Sequence, residues 1–358
     1  MHQHNWQRLR SDDDFKAQLR LRATVTQVIR YFFVQQGFLE VDTPLLVENP
    51  GTEPYLDVFK TTLHSPDHSS KAGYLTTSPE LHMKKLLAAG LGNMFQICKS
   101  FRNQEGLSDT HNPEFTILEW YRIQADYTDI MQDFEQLLLA ISRQLSPESP
   151  EILTYQGVSY NLAAPWERIS IAGAFERYVG IDTETLLSES ELIAVAAKKG
   201  YQVDDTTTWE QAFHQLLLNE IEPHLGKTGP TILYDYPASQ AALSKRKTDD
   251  PRFAERFEVF MAGVELGNAF SELTDWQEQQ TRMQADLAER ARLGKELYDL
   301  DTQFIAALKQ GMPETGGIAV GVDRLVMLFA DAPSIKDTLA FPVEDVFELN
   351  PLHSSDDI

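Results

Sequence analysis

Gly316-Gly317-Ile318-Ala319-Val320-Gly321-Val322-Asp323-Arg324 decides the fold. An apolar run too short for a helix passes through Gly321 into a strongly hydrophobic helical stretch, which sets Arg324 one turn into that helix. More than 200 residues upstream, Phe101-Arg102-Asn103-Gln104-Glu105 closes another strand, and the chain returns through His111-Asn112-Pro113-Glu114-Phe115. Each segment offers an arginine at the end of a strand. A planar, permanently charged guanidinium in that setting suits a polyphosphate, whose α-phosphate gains charge when an acid attacks it. Glycines at 316, 317 and 321 would let the backbone approach a nucleotide closely. Taken singly, Arg102 reads more readily as a surface ion-pair residue and Phe115 as core; only the joint spacing raises the phosphate reading of Arg102 and adenine stacking on Phe115.

Working outward, hydrophobic spacing predicts a helix over 15–36 that stops at Gly37, and a short strand over 38–42 that ends at Pro44. Ser78-Pro79-Glu80 is a helix start, with the helix running to Gly90. Strands follow over 94–102 and 114–123, then a helix over 128–145. Residues 146–227 are polar and read as an inserted helical subdomain. Strands return over 231–236, 252–261 and 264–270, the last two joined by Ala262-Gly263 as a tight hairpin. Helices over 275–293 and 302–309 precede the final strand. Hairpins outnumber strand-helix-strand crossovers, so the expected class is α+β, a mostly antiparallel sheet flanked by helices.

Composition narrows the function. The chain has 358 residues, 42% of them hydrophobic, and 31 Lys plus Arg against 54 Asp plus Glu give a net charge of -23. A general nucleic-acid binder needs a basic footprint, so tRNA binding through charge is not expected. Cys98 is the only cysteine, which excludes an internal disulfide and fits a reducing cytoplasm. The most hydrophobic run, 325–330, is far too short to span a bilayer.

Two sets of carboxylates carry the remaining chemistry. Glu258 and Glu265 flank the predicted hairpin, which would bring them opposite each other; such a pair repels unless a cation intervenes, and Mg2+ bridging phosphates is the natural one. Two exposed strand glutamates are the plainer reading. Glu80, Glu119 and Glu272, beside Tyr121 and Phe270, would line one pocket and select a cationic, lysine-like substrate.

With these residues in view, the chain resembles the catalytic domain of class II aminoacyl-tRNA synthetases, in the lysyl branch, over about residues 15 to 342. The resemblance rests on 40–44 (Glu-Val-Asp-Thr-Pro), 77–80 (Thr-Ser-Pro-Glu), 101–121, 265–273 and 321–324, five motifs in the family's order. Lysyl-tRNA synthetases carry an N-terminal anticodon-binding barrel, and only a short leader precedes the first motif helix here. The segments 236–241 and 254–258, with Ser78 and Ala319 where the synthetases generally have alanine and glycine, resemble the freestanding paralogues that attach a lysine-type amino acid to a lysine side chain of elongation factor P.

The resemblance implies roles. Arg102 and Glu105 would grip the α-phosphate and adenine side, His111 and Arg324 the terminal phosphates of ATP, and Phe115 the adenine ring, with Arg102 and Arg324 catalytic. Glu258 and Glu265 would hold Mg2+. Ser78, Glu80, Glu119, Tyr121, Asn268, Phe270, Glu272 and Ala319 would bind lysine or (R)-β-lysine, the family's preferred substrate, and Pro44 would lie in a homodimer interface. The loop after Arg102 is one residue longer than usual, so Gln104 competes with Glu105 for its position. The implied architecture is one catalytic domain over 1–342 with the insertion at 146–227, then an acidic tail, 343–358, expected to be mobile. Two other readings stay open: a truncated enzyme charging tRNA or another acceptor, and an inactive paralogue that senses lysine or ATP.

Overall fold

A computed structural model describes residues 4–104 and 107–347. Among these residues the main sheet has eight strands: β1 (Leu39–Glu40), β2 (Met94–Phe101), β3 (Glu114–Ile123), β4 (Glu167–Ser170), β5 (Thr231–Pro237), β6 (Phe253–Met261), β7 (Val264–Ser271) and β8 (Thr315–Gly321). Their spatial order is β1-β2-β3-β8-β7-β6-β5-β4. Only the outermost pairs, β1 with β2 and β4 with β5, are parallel. The rest is antiparallel, so the α+β expectation holds.

Three helices cover one face: α1 (Asp13–Gln35), α3 (Tyr127–Leu145) and α6 (Val322–Phe329). α1 starts where Asp12 accepts a hydrogen bond from the Phe15 amide at 2.8 Å. Its inward residues Val25, Ile29 and Phe33 are fully buried, and Phe33 sits 5.0 Å from both the Phe95 and the Trp120 rings. Phe134 of α3 meets Trp120 edge-on at 5.9 Å. Each such ring contributes about 1.5 to 3 kcal/mol by burial, so this core fixes the sheet from behind. The opposite face is open at its centre and closed at one side by α2 (Glu80–Ala88), α4 (Trp276–Arg292) and α5 (Thr302–Gln310). Their core joins Leu81, Met83 and Leu87 to Met94, Tyr121, Phe304 and Leu308.

The insertion is less helical than its sequence predicts. It opens with a hairpin, Ile152–Tyr155 with Val158–Asn161, and then β4, which pairs with β5; only from Ile171 is it helical. These strands are four residues each, too short for a period-two pattern to stand out. The helical part has its own core, with Phe175 stacked on Phe213 at 5.3 Å, and it packs on Leu233, Tyr236 and Phe260 at the sheet edge. A further sheet of Leu46–Val47, Lys60–His64 and Ser70–Leu75 is also unforeseen.

The start of the expected mobile tail is in fact docked. Val343–Val346 forms one helical turn, the Val343 amide donates to Asn112 at 3.0 Å, Lys336 pairs with Glu344 at 2.5 Å, and Asp345 accepts from the Asn5 amide. Residues 348–358 lie outside the described residues, as does Glu105.

Candidate active site

The open face of the sheet holds a cleft of about 480 Å3. Strand register explains its floor. Gln96, Glu119, Ala319, Asn268 and Glu258 form one row across β2, β3, β8, β7 and β6, and Met94, Tyr121, Gly317, Phe270 and Arg256 form the next. Side chains two apart on a strand share a face, so both rows lie on the cleft side of the sheet, with Ala319, Asn268, Glu258, Phe270 and Arg256 lining the cleft itself. Asn268 and Phe270 share that face with Glu265 only because β7 is bulged: Gly267 pairs with Val259 and Glu265 with Phe260, leaving Leu266 as the extra residue. Glu258 therefore opposes Asn268 and lies diagonal to Glu265, not opposite it as the hairpin spacing predicts.

Of the sequence-predicted residues, Ser78, Glu80, Arg102, His111, Phe115, Glu258, Glu265, Asn268, Phe270, Ala319 and Arg324 line the cleft. Arg102 and Arg324, 222 positions apart, thus face one space. The Arg102 guanidinium lies 5.1 Å from the Phe115 ring centre, and the Arg102 amide is held by the Pro113 carbonyl at 2.9 Å. Arg324 donates to the carbonyls of Glu265 at 2.7 Å and Thr110 at 3.3 Å, and its Nη2 lies 2.9 Å from His111 Nε2. Asp323, beside it, accepts from the Thr116 amide at 2.7 Å and pairs with Arg22 at 2.6 Å, which locks α6 onto β3.

Glu119, Tyr121 and Glu272 are placed differently from expectation. They lie beneath the floor, each at most 2% exposed, and Lys84 joins them at 1%. Lys84 Nζ is 2.5 Å from a carboxylate oxygen of both Glu80 and Glu272. Glu119 accepts from the Ser78 hydroxyl at 2.5 Å and from the Tyr121 hydroxyl at 3.0 Å. The carboxylate trio therefore already contains one ammonium, which the sequence reading missed although Glu80 and Lys84 stand at i and i+4 on α2.

Burial, then the charge of Glu80, pushes Glu119 up to about 8. Burial also pushes Glu272 up to about 8: Lys84 opposes this, but its one ammonium is shared with Glu80. At Lys84, burial works against the charge and the two carboxylates overcome it, raising the group above the ordinary lysine range. The folded, ligand-free protein thus holds protons on Glu119 and Glu272 between the ordinary carboxylate range and about 8, where an unfolded chain has shed them. Stability falls wherever the native state binds the extra protons. Thermal melts of the ligand-free protein should accordingly show a melting temperature that declines as pH rises from about 5 to about 8, with Glu119→Gln flattening part of the decline; a rise with pH over that window would contradict it.

The glycines serve neighbours rather than a nucleotide. A Cβ on Gly317 would meet the Tyr121 ring at 2.5 Å and the Glu272 carboxylate, and one on Gly316 would meet Ile130 at 2.6 Å and the Asp126 carbonyl. Of the three motif glycines at 316, 317 and 321, Gly321 borders the cleft, where the Arg324 side chain crosses it at 3.4 Å.

Three further residues belong to the site. Arg256 donates to Glu258 at 2.6 Å and to Asn268 at 3.2 Å, with its guanidinium 4.4 Å from the Tyr236 ring. Glu222, from the insertion, is pushed up to about 7 by burial and by Glu258 and Glu265, and Glu258 is itself raised by burial and Glu265. Among the described residues no three acidic, histidine or cysteine side chains cluster as a metal site. The excess of carboxylates fits Mg2+ if substrate phosphates supply the remaining oxygens. The third residue is Glu53, which lines the cleft beside Arg102 and Glu80.

Comparison with known proteins agrees with this geometry. Residues 2–345 match tRNA synthetases class II (D, K and N). Over 326 residues, 90% of this chain and 94% of the relative, it is 42% identical to an "Elongation factor P--(R)-beta-lysine ligase" of Salmonella arizonae. Proteins of the same name from Hamiltonella defensa and Enterobacter sp. (strain 638) are also 42% identical with the same coverage. The matched span and this identity over nine-tenths of the chain show that it belongs to the class II tRNA synthetases (D, K and N), in the group formed with the elongation factor P–(R)-β-lysine ligases.

Proposed function

We propose that this protein uses ATP to convert a lysine-type amino acid, (R)-β-lysine in preference, to an aminoacyl-adenylate and passes it to a lysine side chain of elongation factor P. One observation carries the reading. Three buried or half-buried carboxylates, Glu80, Glu119 and Glu272, gather around the single ammonium of Lys84 at the end of the cleft, and the amino groups of a lysine-type substrate would let Glu119 and Glu272 give up the protons they hold without a ligand. Buried charge without a partner is costly, so a dication is favoured and a neutral or acidic amino acid is rejected. The names of the relatives support the acceptor and the isomer.

In the first step the substrate carboxylate attacks the α-phosphorus, a new P–O bond forms, and pyrophosphate departs with the electron pair of the broken bond. Arg102 would stabilise the charge that builds on the α-phosphate, with Phe115 against adenine. Arg324 and His111 would hold the departing phosphates. Glu258 and Glu265 would hold Mg2+, which when bound supplies neutralising charge to the phosphates. Positioning and fixed charge do most of the work. Cytoplasmic residence fits the single thiol and the absence, among the described residues, of a helix long and apolar enough to cross a membrane. The exposed apolar residues Tyr31, Val34, Leu39, Leu45 and Leu46, beside Pro44, support a homodimer.

The test offers ATP, labelled (R)-β-lysine or α-lysine, and either elongation factor P or tRNA. Label should appear on elongation factor P; label only on tRNA overturns the acceptor. In the same assay Ala319→Gly reads the isomer choice. Ala319 lies between Glu119 and Asn268 in the floor, and one methyl in a tight pocket discriminates by about 10-fold or more. The variant should shift the ratio of rates towards α-lysine by that order, and an unchanged ratio would sink this account of the pocket.

A further inference from the structure

We propose that Glu53 is the general base of the transfer step, taking the proton from the acceptor amine as it attacks the adenylate. The inference rests on the two-step reading above and supplies the group that reading lacks. Glu53 lines the cleft together with Glu80, proposed to face the substrate's amino end, and Arg102, proposed to face the α-phosphate, and is near enough to feel both charges. The acyl carbon of an adenylate lies between those two ends.

The loop that carries Glu53 is rigid. Arg290, fully buried, donates at 2.8 Å to the carbonyls of both Glu53 and Leu56, and at 2.9 and 3.1 Å to that of Glu296. The Glu53 carboxylate folds back over Gly51, whose φ is +124°. That backbone conformation disfavours any side chain at 51, and the Glu53 Oε2 lies 2.5 Å from where its first carbon would stand. Neighbouring carboxylates are engaged elsewhere: Glu80 with Lys84 at 2.5 Å, and Asp286 with the Thr52 hydroxyl at 2.9 Å. His111 is engaged with Ser108 at 2.8 Å and with Arg324. Burial, then Glu80 and Asp286, push Glu53 up to about 7, close to working pH and suited to accepting a proton.

In the step, the neutral amine of the acceptor lysine attacks the acyl carbon and the C–N bond forms. The extra proton on nitrogen passes to the Glu53 carboxylate. The C–O bond to the phosphate breaks, and AMP leaves with its electron pair.

Glu53→Gln removes the base and keeps the shape, and Glu53→Asp keeps the base at a longer reach. Preformed enzyme-bound adenylate is mixed with elongation factor P, with butylamine, or with hydroxylamine, which is neutral at pH 7 and needs no base. For Glu53→Gln, transfer to either primary amine should fall about 100-fold relative to hydroxamate formation, with partial recovery in Glu53→Asp. The wild-type transfer profile should bend near pH 7, and that bend should vanish in Glu53→Gln. Equal losses with amines and hydroxylamine, or an effect confined to the amino-acid KM in pyrophosphate exchange, would overturn the proposal and make Glu53 a substrate-binding group. Wild-type protein that acylates butylamine but not elongation factor P would overturn the acceptor assignment instead, and the butylamine comparison would still decide the base.

Discussion

Arg324→Ala is expected to lower lysine-dependent ATP–pyrophosphate exchange by about 10³-fold, with little change in thermal stability. The size follows from preorganisation. The guanidinium is aimed by two backbone carbonyls, those of Glu265 and Thr110, at 2.7 and 3.3 Å, and its ion pair with the Glu265 carboxylate is longer than the first of these contacts. The Glu265 carboxylate stands off at 3.6 Å. A fork held in this way meets the charge of the terminal phosphates with no reorganisation when the α-phosphorus is attacked. Arg324→Lys should recover only part of the rate, because a point charge on a flexible stem cannot keep contact with both carbonyls and a phosphate. Exchange in Arg324→Ala within about tenfold of wild type would show that the arginine does not face the reacting nucleotide.

Local signals carried much of the fold. The helix expected over 15–36 is Asp13–Gln35, and the strand expected over 94–102 is Met94–Phe101. The tight hairpin stands because Ala262 and Gly263 both adopt positive φ, 55° and 75°, as a two-residue turn requires. What failed was non-local. Glu167–Ser170 becomes a strand only by pairing with residues 231–234, more than sixty positions away, and nothing within its four residues marks it. The bulge at Leu266 is likewise a property of the β6–β7 pair, and it decides whether Asn268 and Phe270 join Glu265 in the cleft. Gly316 and Gly317 invite a nucleotide by their type, yet the space they leave is filled by Tyr121, Glu272 and the Asp126 backbone. A glycine announces a close approach without naming what approaches.

The two halves of the site differ in the same way. The convergence of the two arginines was legible because five motifs in order favoured one arrangement, and Arg102 and Arg324 do line one cleft. The amino-acid half was legible as acidic but not as balanced. Counting only carboxylates gives three charges with no partner, whereas the folded protein places the Lys84 ammonium against two of them. Arg256 and Glu222 escaped notice for a related cause: their importance lies in contacts with Glu258 and with the insertion, which sequence distance conceals.

Lys84→Met tests that balance and is expected to destabilise the protein by about 3 to 5 kcal/mol, the usual cost of stranding a buried partner. Lys84 is 1% exposed and its ammonium lies 2.5 Å from both Glu80 and Glu272, so methionine fills the space and leaves the carboxylates facing each other. The deficit should grow as pH rises through about 8 and beyond, because only there does Glu272 lose its proton and become the charge that has lost its partner. Adding Glu272→Gln to Lys84→Met should restore much of the stability lost at that pH, for the same reason. Wild-type protein already pushes Glu272 up to about 8 with the lysine present, so removing the lysine can only drive it further in that direction. A dicationic ligand should therefore raise the melting temperature of Lys84→Met more than that of the wild type, since its second ammonium takes over part of the missing charge. A single variant that melts within about 2 °C of wild type would show that the shared ammonium does not hold the pocket together.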